Sequence, residues 1–255
     1  MAERSPESLK MCAQLLTRAK GSKHLGSLIR GMVRALEGTS LDPVPPELDA
    51  ALAYLWKNGD VSGEVIQLSL RLRSPQALAA ARPLLKATST PLSQRLDLIK
   101  ALGELADAPS EEIFLALVRN EKMEPAIRLA ALTGLRRYSG ENIPSTLLSL
   151  YPRLQGDLRQ VSQSLLASRP EWAHQLLLAV KDGIIDKASI SQANILLMNH
   201  YEDSEIKSLL TQHLRPSPRS NKEKAERITE IKALLSAEKP RGHPSDGSTV
   251  CAQQC

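Results

Sequence analysis

One spacing constrains this chain more than any other. Arg95 is followed seven residues later by Leu102, Arg128 by Leu135, and Arg159 by Leu166. The arginines lie 33 and 31 residues apart, and so do the leucines. The surrounding text agrees: Arg95-Leu-Asp-Leu-Ile-Lys-Ala-Leu matches Arg128-Leu-Ala-Ala-Leu-Thr-Gly-Leu in character. A second apolar stripe follows each: Ile113, Leu115, Leu117, Val118; then Leu147, Leu148, Leu150; then Ala173, Leu176, Leu177. Self-similarity at this period, with two helical stripes per unit, predicts repeated helix pairs.

Such a unit cannot bury its amphipathic first helix alone, whereas stacking neighbours makes one continuous core. The expected fold is therefore all-α, a HEAT/armadillo-like α-solenoid of antiparallel helix pairs over residues 1–214. Residues 1–90 match the repeat poorly, although they keep helical stripes such as Leu25, Leu28, Ile29, Met32, Val33 and Leu36. Helix boundaries are expected at Pro45-Pro46, Ser74-Pro75, Thr90-Pro91, Pro109-Ser110, Gly140, Arg169-Pro170 and Gly183, since proline opens helices and glycine closes them. No segment alternates with period two, so no sheet is expected. Composition supports this: 43 leucines stand against only 7 aromatics, and pleated surfaces favour aromatic and β-branched residues.

Residues 215–236 read as a loop, Arg215-Pro-Ser-Pro-Arg, and one last helix with Ile228, Ile231, Leu234 and Leu235 on one face. Residues 237–255 read as a linker and a short tail. No apolar run approaches the ~18 residues of a membrane span. The net charge is +5, but residues 215–241 hold eight basic and four acidic residues, so the remainder is almost neutral. A nucleic-acid-binding solenoid is expected to carry its charge along the concave face rather than in a tail. Nucleic acid is thus not the expected partner; a protein partner or a neighbouring domain is.

No Gly-rich nucleotide loop, P-loop or nucleophile elbow occurs, and no catalytic residue is assigned. The histidines His24, His174, His200, His213 and His243 are scattered. His200 and His213 flank a helix, but two ligands do not make a zinc site. No metal or cofactor is expected in this chain. Trp172 belongs to a Leu-rich helix and reads as core. Glu111 and Glu112 open a helix, where they oppose the positive end of its dipole. Cys12 lies in the stripe Leu9, Cys12, Leu15, Leu16 and reads as a buried free thiol. Cys251 and Cys255 are spaced C-x₃-C, unlike the C-x-x-C of redox sites or the C-x-x-C-H of covalent haem attachment. The arginines Arg95, Arg128 and Arg159 are expected to tie neighbouring units together.

The run Leu165-Leu-Ala-Ser-Arg-Pro-Glu-Trp-Ala-His-Gln-Leu-Leu-Leu-Ala-Val-Lys-Asp-Gly and the run Tyr201-Glu-Asp-Ser-Glu-Ile-Lys-Ser-Leu-Leu resemble the helical-repeat region of the large haem-binding proteins of planctomycetes and related bacteria. In that family a sugar-dehydrogenase-like propeller precedes HEAT-like repeats, and a small cytochrome c domain follows them. The helix with Glu226-Arg-Ile and Leu234-Leu235 is similar to the one before the cytochrome. Gly247-Ser-Thr-Val-Cys-Ala-Gln-Gln-Cys255 resembles the cytochrome opening, with Cys255 at the first haem thiol and Cys251 where the family has an apolar or aromatic residue. The resemblance covers most of residues 60–255. It implies a non-catalytic spacer that positions redox domains for electron transfer, with haem c in an intact parent and the haem motif incomplete here. It implies a periplasmic or exported parent; without it, the N-terminal sequence favours the cytoplasm. On this view the chain is a fragment of a longer protein.

Overall fold

The computed structural model describes residues 5–36, 41, 43–58, 62–214, 228–230 and 232–233. Among them there is no strand; the chain is all-α. The first helix, α1 (Pro6–Ala19), starts where the Ser5 hydroxyl accepts from the Ser8 N–H and Pro6 takes the first turn. The same serine-then-proline start opens α5 (Pro75–Leu84), with Ser74 accepting from the Ala77 N–H. A proline in the first turn needs no hydrogen-bond partner for its missing N–H. This device also begins α3 (Pro46–Lys57), α8 (Pro125–Gly134) and α11 (Pro170–Lys181). Ser62 caps α4 (Gly63–Arg71) in the same way without a proline.

The remaining α-helices are α2 (Leu25–Ala35), α6 (Leu92–Leu105), α7 (Ser110–Arg119), α9 (Asn142–Leu150), α10 (Gly156–Leu166), α12 (Gln192–Asn199) and α13 (Ser204–Leu209). The boundaries expected at Pro91, Pro109 and Pro170 fall within one residue of a helix start. Short 3-10 turns at Leu135–Arg137 and Tyr151–Arg153 follow α8 and α9, and a π-turn at Leu210–Leu214 follows α13.

Contacts run in a regular order. Helices α2, α4, α6, α8 and α10 touch in succession, and α7, α9 and α11 do likewise beside them. The α6–α8 pair approaches closely at Gly103, where a Cβ would lie 2.9 Å from Gly134 Cα. Hydrogen bonds join residues 33 to 36 positions apart. Arg137 donates to the Glu104 carbonyl at 2.7 Å, 33 residues away. Arg169 donates to the Arg136 carbonyl at 3.3 Å, again 33 residues away. The Tyr138 hydroxyl reaches the Leu102 carbonyl (3.1 Å) and the Tyr201 hydroxyl the Ala167 carbonyl (2.8 Å), across 36 and 34 residues.

The core is not one continuous body, as stacking alone predicts. It divides into two clusters. One contains Cys12, Leu16, Ile29, Met32, Leu48 and Leu55; the other runs from Ile66 to Leu210 through Leu98, Leu102, Phe114, Leu132, Leu147 and Leu177. The physical reason lies in α4, which is buried on both sides. Val65, Leu68 and Leu72 face the first cluster, and Ile66 and Leu70 face the second. The segment that matches the repeat poorly is the one that owns the separate cluster.

The loop and last helix expected over residues 215–236 lie mostly outside the described residues; 228–230 and 232–233 are helical, and Ile228 is exposed. Among the described residues no helix is long and apolar enough to cross a membrane.

Candidate functional site

A groove opens between α6 and α8, with a volume of about 640 Å³. Its aliphatic lining comes from Leu96 on one helix and Ala126, Leu129 and Ala130 on the other. Gly103 and Gly134 form its narrow end, where the absence of side chains lets the two backbones meet. Asp97, Lys100 and Glu104 line it from α6, and Arg136 and Arg137 from the 3-10 turn after α8. A second cleft, about 320 Å³, continues this surface across α2 and α4 through Arg30, Arg34, Gln67 and Arg71. The two share Asp97 and Lys100, so they form one face.

Contacts between helices hold that face in place. Arg71 is buried and paired with Glu104, one period away. Glu104 uses its carbonyl to accept from Arg137 at 2.7 Å. Positions 71, 104 and 137 thus fall at intervals of 33 residues, a signal the sequence carries alongside the Arg95–Arg128–Arg159 series. Arg30 pairs with Glu64 at 2.8 Å, and Gln67 donates to Asp97 at 3.2 Å.

The charge of this face differs from what the linear count implies. Arg30, Arg34, Arg71, Lys100, Arg136 and Arg137 stand against Asp97 and Glu104, six cations against two carboxylates, a net of +4. With +4 also in residues 215–241, the remaining residues sum to −3. The near-neutrality outside the tail is therefore an average over a cationic face and acidic surroundings. The near-neutral sum outside the tail stands, and cations far apart in sequence meet on this face only once the helices pack.

The arginines of the repeat series act as expected of structural ties. Arg95 Nε donates to the Leu85 carbonyl (3.2 Å), Arg128 Nε to Val118 (3.1 Å) and Arg159 Nε to Leu154 (2.8 Å). Each satisfies a carbonyl at the end of the preceding helix or turn, where intrahelical donors run out. Arg95 is almost fully buried and also reaches Glu124 and Met123.

Trp172 is buried in α11, with the Arg169 guanidinium 4.5 Å from its ring centroid. Cys12 is a buried free thiol, and burial pushes its pKa up. That makes it a poor nucleophile, since the thiolate is the reactive form. Glu111 and Glu112 occupy the first turn of α7. His174 Nε2 lies 3.2 Å from Glu205, and His213 Nε2 is buried with no hydrogen-bond partner among the described residues. His200 is exposed. No cluster of three or more metal-ligating side chains forms among the described residues. His24 lies at the start of α2, exposed; His243, Cys251 and Cys255, the proposed first haem thiol, lie outside the described residues.

A second polar cluster sits between α10 and α12. The Gln163 amide donates to the Tyr151 hydroxyl (2.9 Å) and the Ser189 carbonyl (3.0 Å), and its oxygen accepts from Asn194 (2.9 Å). It is internally satisfied, and it ties the 187–189 turn to α10.

Compared with known proteins, this chain matches no family model, no curated protein and no solved structure.

Proposed function

We propose that this chain is a HEAT-like helical-repeat scaffold, without chemistry of its own, that holds a protein partner or neighbouring domain against the α2–α8 face. The observation that carries this reading is the recurrence of cross-helix hydrogen bonds at 33 to 36 residues. A repeat array has that property because each unit meets its neighbour through equivalent positions. Polar groups of the face engage one another, as in the Arg71–Glu104 ion pair and the Gln67 amide on Asp97. They make a shaped recognition surface rather than a poised acid–base pair.

The resemblance to planctomycete haem-binding proteins supports a finer version. There the partner domains are a dehydrogenase-like propeller and a cytochrome c domain of the same exported polypeptide, and the scaffold fixes their separation for electron transfer. Haem c would attach in the intact parent, with Cys255 as first thiol.

The architectural reading is tested by excising one unit. Deleting residues 95–127 brings Arg128 into the place of Arg95. A nearest-neighbour array then stays helical and cooperative with a lower melting temperature. A chain that no longer folds overturns the reading. The redox version is tested by the reading frame past Cys255: two residues followed by Cys-His support it, and any other continuation removes it.

A further inference from the structure

We propose that the α6–α8 groove, continued by the cleft over α2 and α4, seats an acidic amphipathic helix supplied by a protein partner. The proposal rests on the scaffold reading and names the chemistry of its partner.

Three features of the face select this occupant. The lining is aliphatic, through Leu96, Ala126, Leu129 and Ala130, which suits the apolar stripe of a helix laid in a groove. Cations border that lining, and the face carries +4 net. Arg136 is exposed and has no ion-pair partner among the described residues, so it is available to a carboxylate. Complementary charge of this kind steers association and fixes register.

Size agrees. The groove runs between α6 and α8, and α6 with its 14 residues is about 21 Å long at ~1.5 Å per residue. A helix of about 18–20 residues is long enough to cover it.

Two other occupants fit less well. The chain's own segment 215–241 carries +4 and is repelled by a face of the same sign. A single-stranded nucleic acid needs aromatic platforms for its bases, and neither cleft is lined by an aromatic residue.

The test uses the full chain and three fluorescein-labelled probes. One is a 20-residue amphipathic helix with leucines on one face and glutamates on the other. The second is the same peptide with every glutamate replaced by lysine. The third is a 20-nucleotide DNA, single-stranded or duplex. The glutamate peptide is expected to bind, and the lysine peptide to bind at least about tenfold more weakly. Arg136→Glu is expected to weaken the glutamate peptide by about tenfold without changing the melting temperature. Lys122→Glu, the same charge change away from the groove, is expected to leave its affinity unaltered. Equal binding of the two peptides, an unaffected Arg136→Glu variant, or tighter binding of DNA overturns the proposal. If the chain lacking residues 95–127 folds while the native chain ignores the glutamate peptide, only the docking proposal falls and the scaffold reading stands. If that shortened chain does not fold, the scaffold reading falls with it.

Discussion

Gly103 and Gly134 meet backbone to backbone: a Cβ placed on Gly103 would lie 2.9 Å from Gly134 Cα and 3.3 Å from its carbonyl oxygen. Two effects oppose each other in Gly103→Ala. Alanine in a helix interior gains roughly 1 kcal/mol over glycine. Overpacking against atoms that cannot rotate away costs about 1–3 kcal/mol. Because the obstructing atoms are backbone, the second effect wins. Gly103→Ala is expected to lower stability by up to about 2 kcal/mol in thermal or denaturant melts. A stabilised variant would mean that α6 and α8 do not pack through these glycines.

Three residues further on, the opposite change is expected to help. Ala106 ends α6 in the left-handed conformation at φ 51°. The Asp107 N–H bonds to the Leu102 carbonyl and the Ala106 N–H to that of Gly103, the arrangement in which glycine is favoured. Ala106→Gly is expected to stabilise by about 0.5–1 kcal/mol, since the side chain pays a penalty glycine avoids. Matched melts of the two proteins check it.

Arg82 grips Asp107 with two hydrogen bonds, of 2.9 and 2.7 Å, and the Ser110 hydroxyl donates to the same carboxylate. Burial pushes the Asp107 carboxyl up, but the bonds from Arg82 and Ser110 outweigh it and leave its pKa below the ordinary value. A depressed carboxyl contributes stability above the unfolded pKa of about 4, and that contribution disappears as pH falls through the folded value. Asp107→Asn is therefore expected to cost about 1–3 kcal/mol at pH 7. The gap between the two proteins should close in strongly acidic buffer. A gap that persists there would deny the carboxylate this role.

Among the repeat arginines, Arg95→Ala is expected to destabilise more than Arg128→Ala. Both leave a carbonyl unpaired, Leu85 and Val118 respectively. Arg95 is only 3% exposed and also loses its contact with Glu124. An unpaired buried carbonyl costs about 1–3 kcal/mol. At this chain length each kcal/mol moves the melting temperature by about 2–4 °C. An unchanged melting temperature in Arg128→Ala would count against the tie between units.

The helices were legible because their signals are local. Serine and proline mark the starts of α1 and α5 within two residues, and the stripe Leu25 to Leu36 is α2 itself. The ties made by Arg95, Arg128 and Arg159 were legible because a fixed period puts each in an equivalent setting. The cationic face was hidden for the opposite reason. Arg30, Arg71 and Lys100 come from three helices and Arg136 from the 3-10 turn after α8; no single stretch of sequence holds them, and packing brings them to one face. The division of the core was hidden too: in α4 the adjacent residues Val65 and Ile66 both read as apolar, and no periodicity says that they face different clusters.

That helix gives the protein a shared wall. Trp56 leans on both clusters and donates its indole N–H to Ser69 on α4 at 3.0 Å. The N-terminal cluster completes its packing only by borrowing one side of α4 from the body that the rest of the chain builds. Dependence is therefore lopsided. The body beyond α4 keeps most of its own contacts when α1 to α3 detach, whereas those three helices lose a wall when the body melts. The three N-terminal helices are therefore expected to let go first under heat or denaturant.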